Sequence, residues 1–94
     1  MARVELAAAA VEDLTHLTAV LSLPQDTTDR VRRSLEPLAD FPRLGAELGG
    51  RWAPVRFILG PWRWMLILYT YEEEADRVVI VTIQDARSGS AARG

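Results

Sequence analysis

The sequence predicts an α+β fold, and three observations support that class. Residues 51–71 form a long run of β-branched, aromatic and aliphatic side chains that is divided at its centre by Gly60-Pro61. A second run of the same kind, residues 77–84, follows a short acidic turn. The first 40 residues instead carry apolar side chains at helical spacing. Helices followed by consecutive strands are typical of an antiparallel sheet with helices packed on one face.

The N-terminal half predicts one short strand and two helices. Residues 3–6 alternate in polarity and precede a helical run over residues 7–23, which Pro24 ends. A second helix begins at Asp26 or Thr27, reaches about residue 40 and is kinked or ended near Pro37. The short connection between them favours an antiparallel helical hairpin.

Each helix has an apolar stripe that predicts which side faces the sheet. The stripes consist of Leu14, Leu17, Val20 and Leu21 in the first helix and Val31, Leu35 and Leu38 in the second. Residues 41–50, rich in glycine, are predicted to be an irregular connection to the strands.

The two strands around Gly60-Pro61 predict a hairpin with one wholly apolar face. If the loop contains only those two residues, Leu59 lies opposite Trp62 and side chains alternate between the faces. The apolar face then consists of Ala53, Val55, Phe57, Leu59, Trp62, Trp64, Leu66 and Leu68. The other face consists of Trp52, Pro54, Arg56, Ile58, Arg63, Met65, Ile67 and Tyr69. We expect the helices to cover the first face and the second, with Arg56 and Arg63 as diagonal neighbours, to stay open for a partner.

The remaining chain completes a sheet of three to four strands, mainly antiparallel. The register of the last strand is left open, because turns of four and five residues would place opposite faces inward. Residues 88–94 have the composition of a loose tail. We expect one domain over residues 1–94.

Composition and charge narrow the class of protein. The chain has no cysteine and one histidine, so no disulfide, metal site or cofactor is expected. The net charge of −2 argues against binding nucleic acid by bulk electrostatics. No apolar run reaches the length of a membrane span and no signal peptide is evident, which predicts a cytoplasmic protein.

Three segments, in order along the chain, carry a family resemblance. Residues 55–69, VRFILGPWRWMLILY, combine a strand with a basic residue, a glycine turn, an aromatic-arginine pair and an apolar strand. Pro42-Arg43-Leu44-Gly45 precedes them, and residues 78–87, VVIVTIQDAR, follow. Over residues 3–88 this pattern resembles the RelE/ParE superfamily, the toxins of bacterial type II toxin–antitoxin systems. The resemblance implies growth inhibition, a role in plasmid stabilisation and a cognate antitoxin as partner in a hetero-oligomer.

The resemblance also assigns residues and divides the possible targets. In RelE-like ribonucleases the positions of Arg56, Arg63 and Arg87 help to hold and cleave ribosome-bound mRNA, which suits guanidinium groups. Here Asp85 stands where many relatives have histidine or another basic residue, and residues 88–94 contain no Tyr, His or Lys. These departures favour the ParE-like branch, whose members poison DNA gyrase. The alternatives are a RelE-like mRNA endoribonuclease and a non-toxic interaction module.

An antitoxin segment is expected to cover the face that carries the two arginines. The residues predicted to bind the antitoxin or the target are Trp52, Arg56, Ile58, Arg63, Met65, Ile67, Tyr69 and Arg87. A structural role for Arg56 and Arg63, through ion pairs with acids such as Asp85, is the alternative.

Overall fold

Five strands form one mixed sheet in the described part of the chain. The structure, a computed structural model, describes residues 1–52 and 54–87. The strands are β1 (Arg3–Leu6), β2 (Ala46–Glu47), β3 (Arg56–Leu59), β4 (Met65–Glu72) and β5 (Arg77–Asp85), and their order in the sheet is β1-β5-β4-β3-β2. The helices are α1 (Ala8–Val20), α2 (Thr27–Leu35) and α3 (Pro37–Asp40), with one 3₁₀ turn at Gly50–Trp52. The predicted α+β class, with a helical hairpin on a mainly antiparallel sheet, is confirmed.

The N-terminal elements follow the sequence pattern closely. Strand β1 has the predicted bounds, and the second helix is interrupted before Pro37, which occupies the first turn of α3. Helix α1 ends at Val20, three residues earlier than predicted. Val20 is 63% exposed and Leu21 is 36% exposed, so their predicted inward role is wrong. Because both lie at the end of α1, they extend past the part of the helix that contacts the core.

The sheet has more strands than the sequence indicated. Strand β1 pairs in parallel with β5, whereas the other pairs are antiparallel. At the opposite edge, two residues of the segment predicted to be irregular form β2, where Glu47 pairs with Arg56. A strand of two residues has too little pattern to be recognised from sequence.

The register of the β3–β4 hairpin differs from the prediction. Leu59 pairs with Leu66 instead of Trp62, so the loop consists of residues 60–64 rather than Gly60-Pro61 alone. The Gly60 amide donates to the Met65 carbonyl at 2.8 Å and closes this longer loop. The longer loop releases both tryptophans from the ladder, so that their rings pack against the core. The shift along β4 is an even number of residues, and the predicted grouping of strand side chains by face therefore survives.

The prediction of which face the helices cover is wrong. Met65, Ile67 and Tyr69 are each 0% exposed and belong to the core cluster with residues of all three helices. Ile58 packs against that cluster, whereas Leu59, on the other face, is 48% exposed. The cluster consists of Ala2, Ala10, Leu14, Val31, Leu35, Leu38, Met65, Ile67, Tyr69, Val78, Ile80 and Ile83.

The positions of Arg56 and Arg63 explain why the helices can cover the face that the sequence predicts to be open. Arg56 is on the edge-proximal strand β3 and its guanidinium reaches the linker that carries β2, while Arg63 is in the loop and not in the sheet. Neither charge therefore enters the interior when the helices cover this side. Ile58, Met65, Ile67 and Tyr69 consequently do not form the exposed binding patch predicted for them.

A bulge in β5 decides which of its residues face the core. Leu68 pairs with Thr82 and Tyr69 with Ile80, so Val81 is an extra residue in the ladder. Ile80 and Ile83, an odd number of residues apart, both reach the core only because of this insertion. The turn before β5 consists of residues 73–76, since Glu72 pairs with Arg77.

Two predictions concern residues outside the described ones: the pairing of Ala53 and the loose tail at residues 88–94. Among the described helices, none has the length and apolar character needed to cross a membrane.

Candidate functional site

The loop of the β3–β4 hairpin and the end of β5 lie side by side at one end of the sheet. Met65 pairs with Asp85, and the Ala86 amide donates to the Trp64 carbonyl at 2.6 Å. We call this region the tryptophan end of the sheet. It consists of Arg30, Trp62, Arg63, Trp64, Asp85 and Arg87.

A stack of aromatic and cationic groups organises the tryptophan end. The rings of Trp62 and Trp64 are stacked, with centroids 5.8 Å apart and planes inclined by 9°. The Arg30 guanidinium lies 5.6 Å from the Trp62 ring centroid, and the Arg87 guanidinium lies 4.6 Å from that of Trp64. A cation over the face of an indole is attracted by the quadrupole of the ring. The stack thus ties the loop to α2 on one side and to the end of β5 on the other.

Arg87 is held by a carboxylate two residues earlier in the chain. Its Nε donates to Asp85 Oδ1 at 3.0 Å and its Nη2 donates to Oδ2 at 2.9 Å. The Arg87 backbone amide also donates to Oδ1, at 2.9 Å. These donors lower the pKa of Asp85 below its ordinary value of 3.8, with the guanidinium hydrogen bonds as the largest cause, and the same pair raises the pKa of Arg87. The fork of Arg87 is therefore already filled by an anion that belongs to the chain itself.

The lowered pKa of Asp85 gives a direct test of this pair. A carboxyl whose pKa is depressed in the folded state contributes stability above pH 3.8 and loses it as the pH falls through the lower folded value. We expect the Asp85 carboxyl, followed by its NMR resonance, to titrate below pH 3.8 in the wild type. The pKa of Asp85 should rise in Arg87→Ala, because the donors of the guanidinium are removed. Arg33→Ala, which removes an exposed arginine of α2, should leave the Asp85 titration unchanged. An equal shift in both variants would mean that overall charge, not the bidentate contact, sets the pKa.

Arg63 is an exposed cation of the tryptophan end. It lies between the two stacked indoles in sequence, and within residues 1–52 and 54–87 its side chain makes no hydrogen bond or ion pair. Because the flanking tryptophans are half-buried and fixed, the loop presents Arg63 on a rigid support. Arg63 is thus available to an anionic partner without first breaking an internal contact.

Arg56 does not join this group. It pairs with Tyr69, about 10 Å along β3 from the residue that precedes the loop. Its guanidinium donates to the Gly45 carbonyl at 2.8 Å and to the Glu47 carboxylate at 3.0 Å, and its side chain is 19% exposed. The prediction that Arg56 and Arg63 are diagonal neighbours is wrong, because the loop is three residues longer than assumed. The contacts of Arg56 hold β2 and its linker against β3.

Trp52, the remaining aromatic residue of the predicted binding set, is also remote from the loop. It ends the 3₁₀ turn before β3 and is 37% exposed. The Val55 amide donates to its carbonyl at 2.7 Å, so it belongs to the entry of β3 and not to its loop end. Of the three predicted catalytic arginines, Arg63 and Arg87 lie at the same end of the sheet, and Arg56 does not.

A cleft of about 320 Å³ beside Asp85 contains polar groups that the sequence did not connect. It lies between α1 and the end of β5 and includes Asp13, His16, Gln84 and Asp85. The Asp13 carboxylate accepts hydrogen bonds from the Thr82 hydroxyl and from the Ile83 amide, the latter at 3.2 Å. No sequence signal links His16 to Asp85, since they meet only through the packing of α1 on β5. Among the described residues, no group of three His, Cys, Asp or Glu side chains is arranged to hold a metal ion.

Comparison with solved structures identifies the architecture. No model of a known protein family matches the sequence, and no curated protein sequence matches it. The isolated RelE toxin of E. coli superimposes with a TM-score of 0.69 at 16% identity, over 99% of this chain and 94% of the toxin. This chain has the fold of the RelE toxins.

Two complexes show the same RelE fold. A chain of the intact RelBE toxin–antitoxin complex of E. coli matches with a TM-score of 0.69 at 12% identity, over 94% of this chain and 100% of that one. A chain of the toxin–antitoxin complex RelBE2 of Mycobacterium tuberculosis matches with a TM-score of 0.54 at 20% identity, over 89% and 90% of the two chains. At these identities the likeness concerns the fold, and the resemblance to RelE/ParE toxins expected from the sequence is confirmed at that level.

Proposed function

We propose that this chain is the toxin of a type II toxin–antitoxin pair, acting in the cytoplasm and neutralised by a cognate antitoxin. The observation that carries the proposal is the match of nearly the whole chain to nearly the whole of a RelE toxin. The matched complexes contain a toxin and an antitoxin, which supports a hetero-oligomer for this chain as well. A fold alone does not set a function, so the residues of the tryptophan end must carry the finer argument.

The contacts of the arginines support a ParE-like mode, in which the toxin binds a large target such as DNA gyrase without cleaving RNA. Arg87 is neutralised by Asp85, and Arg56 is bound to backbone carbonyls and Glu47 at a distance from the loop. Neither is poised to stabilise a phosphate in transfer. Arg63 alone of the three is exposed without an ion pair in the described part of the chain, which suits one charged contact in a protein interface.

A RelE-like mRNA endoribonuclease is the second candidate. One observation favours it: Arg63 and Arg87 lie at the same end of the sheet, and His16 lines the adjoining cleft with Asp85. In that mechanism the arginines would hold the phosphate and the imidazole of His16 would be the candidate acid–base group. A non-toxic member that retains only antitoxin binding is the third possibility.

We propose Arg63 as the main point of contact for the antitoxin, which would supply an Asp or Glu side chain to it. Trp52 and Arg87 are the other exposed members of the predicted binding set. We do not propose Ile58, Met65, Ile67 and Tyr69 as contacts, because Ile58 packs against the core and the other three are buried in it.

Growth after induced expression of the chain alone tests the proposal. We expect the wild type to arrest a bacterial culture and Arg63→Ala to grow like the empty vector, because the mutation removes the presented charge but no core contact. Arg33→Ala is the matched control, since Arg33 is also exposed and free of ion pairs within the described residues but lies on α2. It should arrest growth as strongly as the wild type.

The symptoms of arrest then separate the candidates. DNA breaks and induction of the SOS response would support the gyrase target. Cleaved mRNA with rapid loss of translation would support the ribonuclease. Normal growth with soluble wild-type protein present would contradict the toxin proposal and leave the non-toxic module.

A further inference from the structure

Asp85 and Arg87 form an ion pair at the end of β5. Without Asp85, the donors of the Arg87 guanidinium would be open to an external anion. Three donors of one residue, the backbone amide, Nε and Nη2 of Arg87, converge on the Asp85 carboxylate. The guanidinium also lies against the Trp64 ring, so its plane is fixed on one side by the indole and along one edge by the carboxylate. The Arg87 side chain nevertheless remains 58% exposed.

The geometry of this pair is the one that an arginine uses for a phosphate. Two parallel N–H groups donate to two oxygens of a planar or tetrahedral anion, which gives both strength and direction. While Asp85 occupies those donors, a phosphate must displace it. The exposed cation Arg63 lies at the same end of the sheet, in the loop that ends at Trp64, the indole on which Arg87 lies.

We infer that Asp85 is a specificity-determining residue, which occupies the anion-binding fork of Arg87 and so disfavours single-stranded RNA at the tryptophan end. This inference deepens the proposed function, because it gives a physical reason why a toxin of this fold would act on a protein target. With Asp85 ionised, the charges of Asp85 and Arg87 cancel. Arg30 is paired with Asp26, so Arg63 is the cation of the tryptophan end that remains without an anionic partner among the described residues. Without Asp85, Arg63 and Arg87 form a doubly positive surface that can contact successive phosphates.

Asp85 and an RNA phosphate compete for the same donors of Arg87, so Asp85 weakens RNA binding but does not abolish it. The Arg87 side chain is 58% exposed and that of Asp85 is 19% exposed, so water reaches the ion pair and the pair contributes little free energy. Its removal should therefore strengthen RNA binding by roughly fivefold rather than by orders of magnitude. The salt dependence of binding tests the inference more directly than the affinity does, because it reports the number of phosphate contacts. One additional phosphate contact should steepen the slope of log K against log salt concentration by about 0.7 for a single strand.

The substitution Asp85→Asn is suited to the test because it removes the charge and keeps the shape. The amide oxygen can still accept the hydrogen bond from the Arg87 backbone, while the stacking of Arg87 on Trp64 does not depend on the carboxylate. Asp85→Ser, which also removes the charge, is made in parallel so that the comparison does not rest on one variant.

The experiment measures binding of a short fluorescent oligouridine RNA by anisotropy at several salt concentrations between about 0.05 and 0.2 M. The proteins are the wild type, Asp85→Asn, Asp85→Ser and the double variant Asp85→Asn with Arg87→Ala. The matched control is Asp76→Asn, which makes the same change of net charge at the other end of β5, where Asp76 accepts a hydrogen bond from Tyr71. Production by cell-free translation avoids selection against a toxic chain. Circular dichroism from the coupled indoles of Trp62 and Trp64 reports that the loop is intact.

We expect both Asp85 variants to bind more tightly and with the steeper salt slope, and the double variant to return to the wild-type slope. Asp85 variants that match Asp76→Asn in affinity and slope would overturn the inference. Tighter binding that persists after Arg87→Ala would also overturn it, because the phosphate contact would then lie elsewhere. A wild type that does not arrest growth contradicts the proposed function but leaves this comparison intact, so the two failures are distinguishable.

Discussion

Replacement of Ile67 by alanine should lower the free energy of unfolding by about 2–5 kcal/mol. Ile67 is 0% exposed at the centre of β4 and belongs to the cluster formed with α1, α2 and α3. The substitution removes three buried carbon atoms from a strand that is paired on both sides, so the surroundings cannot collapse around the cavity. Urea denaturation followed by far-ultraviolet circular dichroism measures the change.

Leu59→Ala is the matched control for Ile67→Ala, because it deletes the same number of carbon atoms from the neighbouring strand. Leu59 is 48% exposed on the face away from the helices, so its replacement should change the free energy of unfolding by about 0.5 kcal/mol or less. The pair of variants therefore reports which face of the sheet is covered. A larger loss for Leu59→Ala than for Ile67→Ala would place the helices on the other face.

Gly45→Ala should lower the free energy of unfolding by about 2–4 kcal/mol. An added Cβ would lie 2.5 Å from the Phe57 carbonyl oxygen and 2.8 Å from the Tyr69 hydroxyl oxygen. The first of these is backbone of β3 and cannot move without disturbing the sheet. The Gly45 amide also donates to the buried Tyr69 hydroxyl at 2.8 Å, and a shift of the linker away from β3 would break this hydrogen bond. Thermal unfolding monitored by calorimetry would show a lowered midpoint.

Gly49→Ala provides the control for Gly45→Ala. No atom beyond its chain neighbours lies within 4 Å of the position of an added Cβ, and Gly49 is exposed. We expect the midpoint of Gly49→Ala to stay close to that of the wild type, because its free energy of unfolding should change by about 0.5 kcal/mol or less. If both glycine variants lost stability equally, backbone freedom in the linker rather than the close approach at Gly45 would be the cause.

The candidate site was only partly predictable from the sequence. The sequence predicts Arg63 and Arg87 as site residues, and the structure places both at the tryptophan end. The sequence also predicts Arg56, because a two-residue loop would make it a neighbour of Arg63, and the longer loop separates the two. The proximity of Asp85 and His16 across the cleft is a consequence of packing between elements far apart in the chain, which leaves no local signal.

Local chemistry by itself determined most of the helices and strands of this protein. The strand at residues 3–6, the break at Pro37, the apolar stripe of Val31, Leu35 and Leu38, and the long last strand all follow from propensity, period and proline geometry, which act over a few residues. The family resemblance rests on the same short segments, and the matched fold agrees with it.

Only the tertiary structure decided register and facing. A strand offers two faces of similar apolar character, and the choice between them depends on which packs more closely against the helices. Here the loop of residues 60–64 moved the tryptophans out of the ladder, and the bulge at Val81 turned both Ile80 and Ile83 toward the core. These features depend on the summed packing energy of side chains from distant segments, which no stretch of sequence contains on its own.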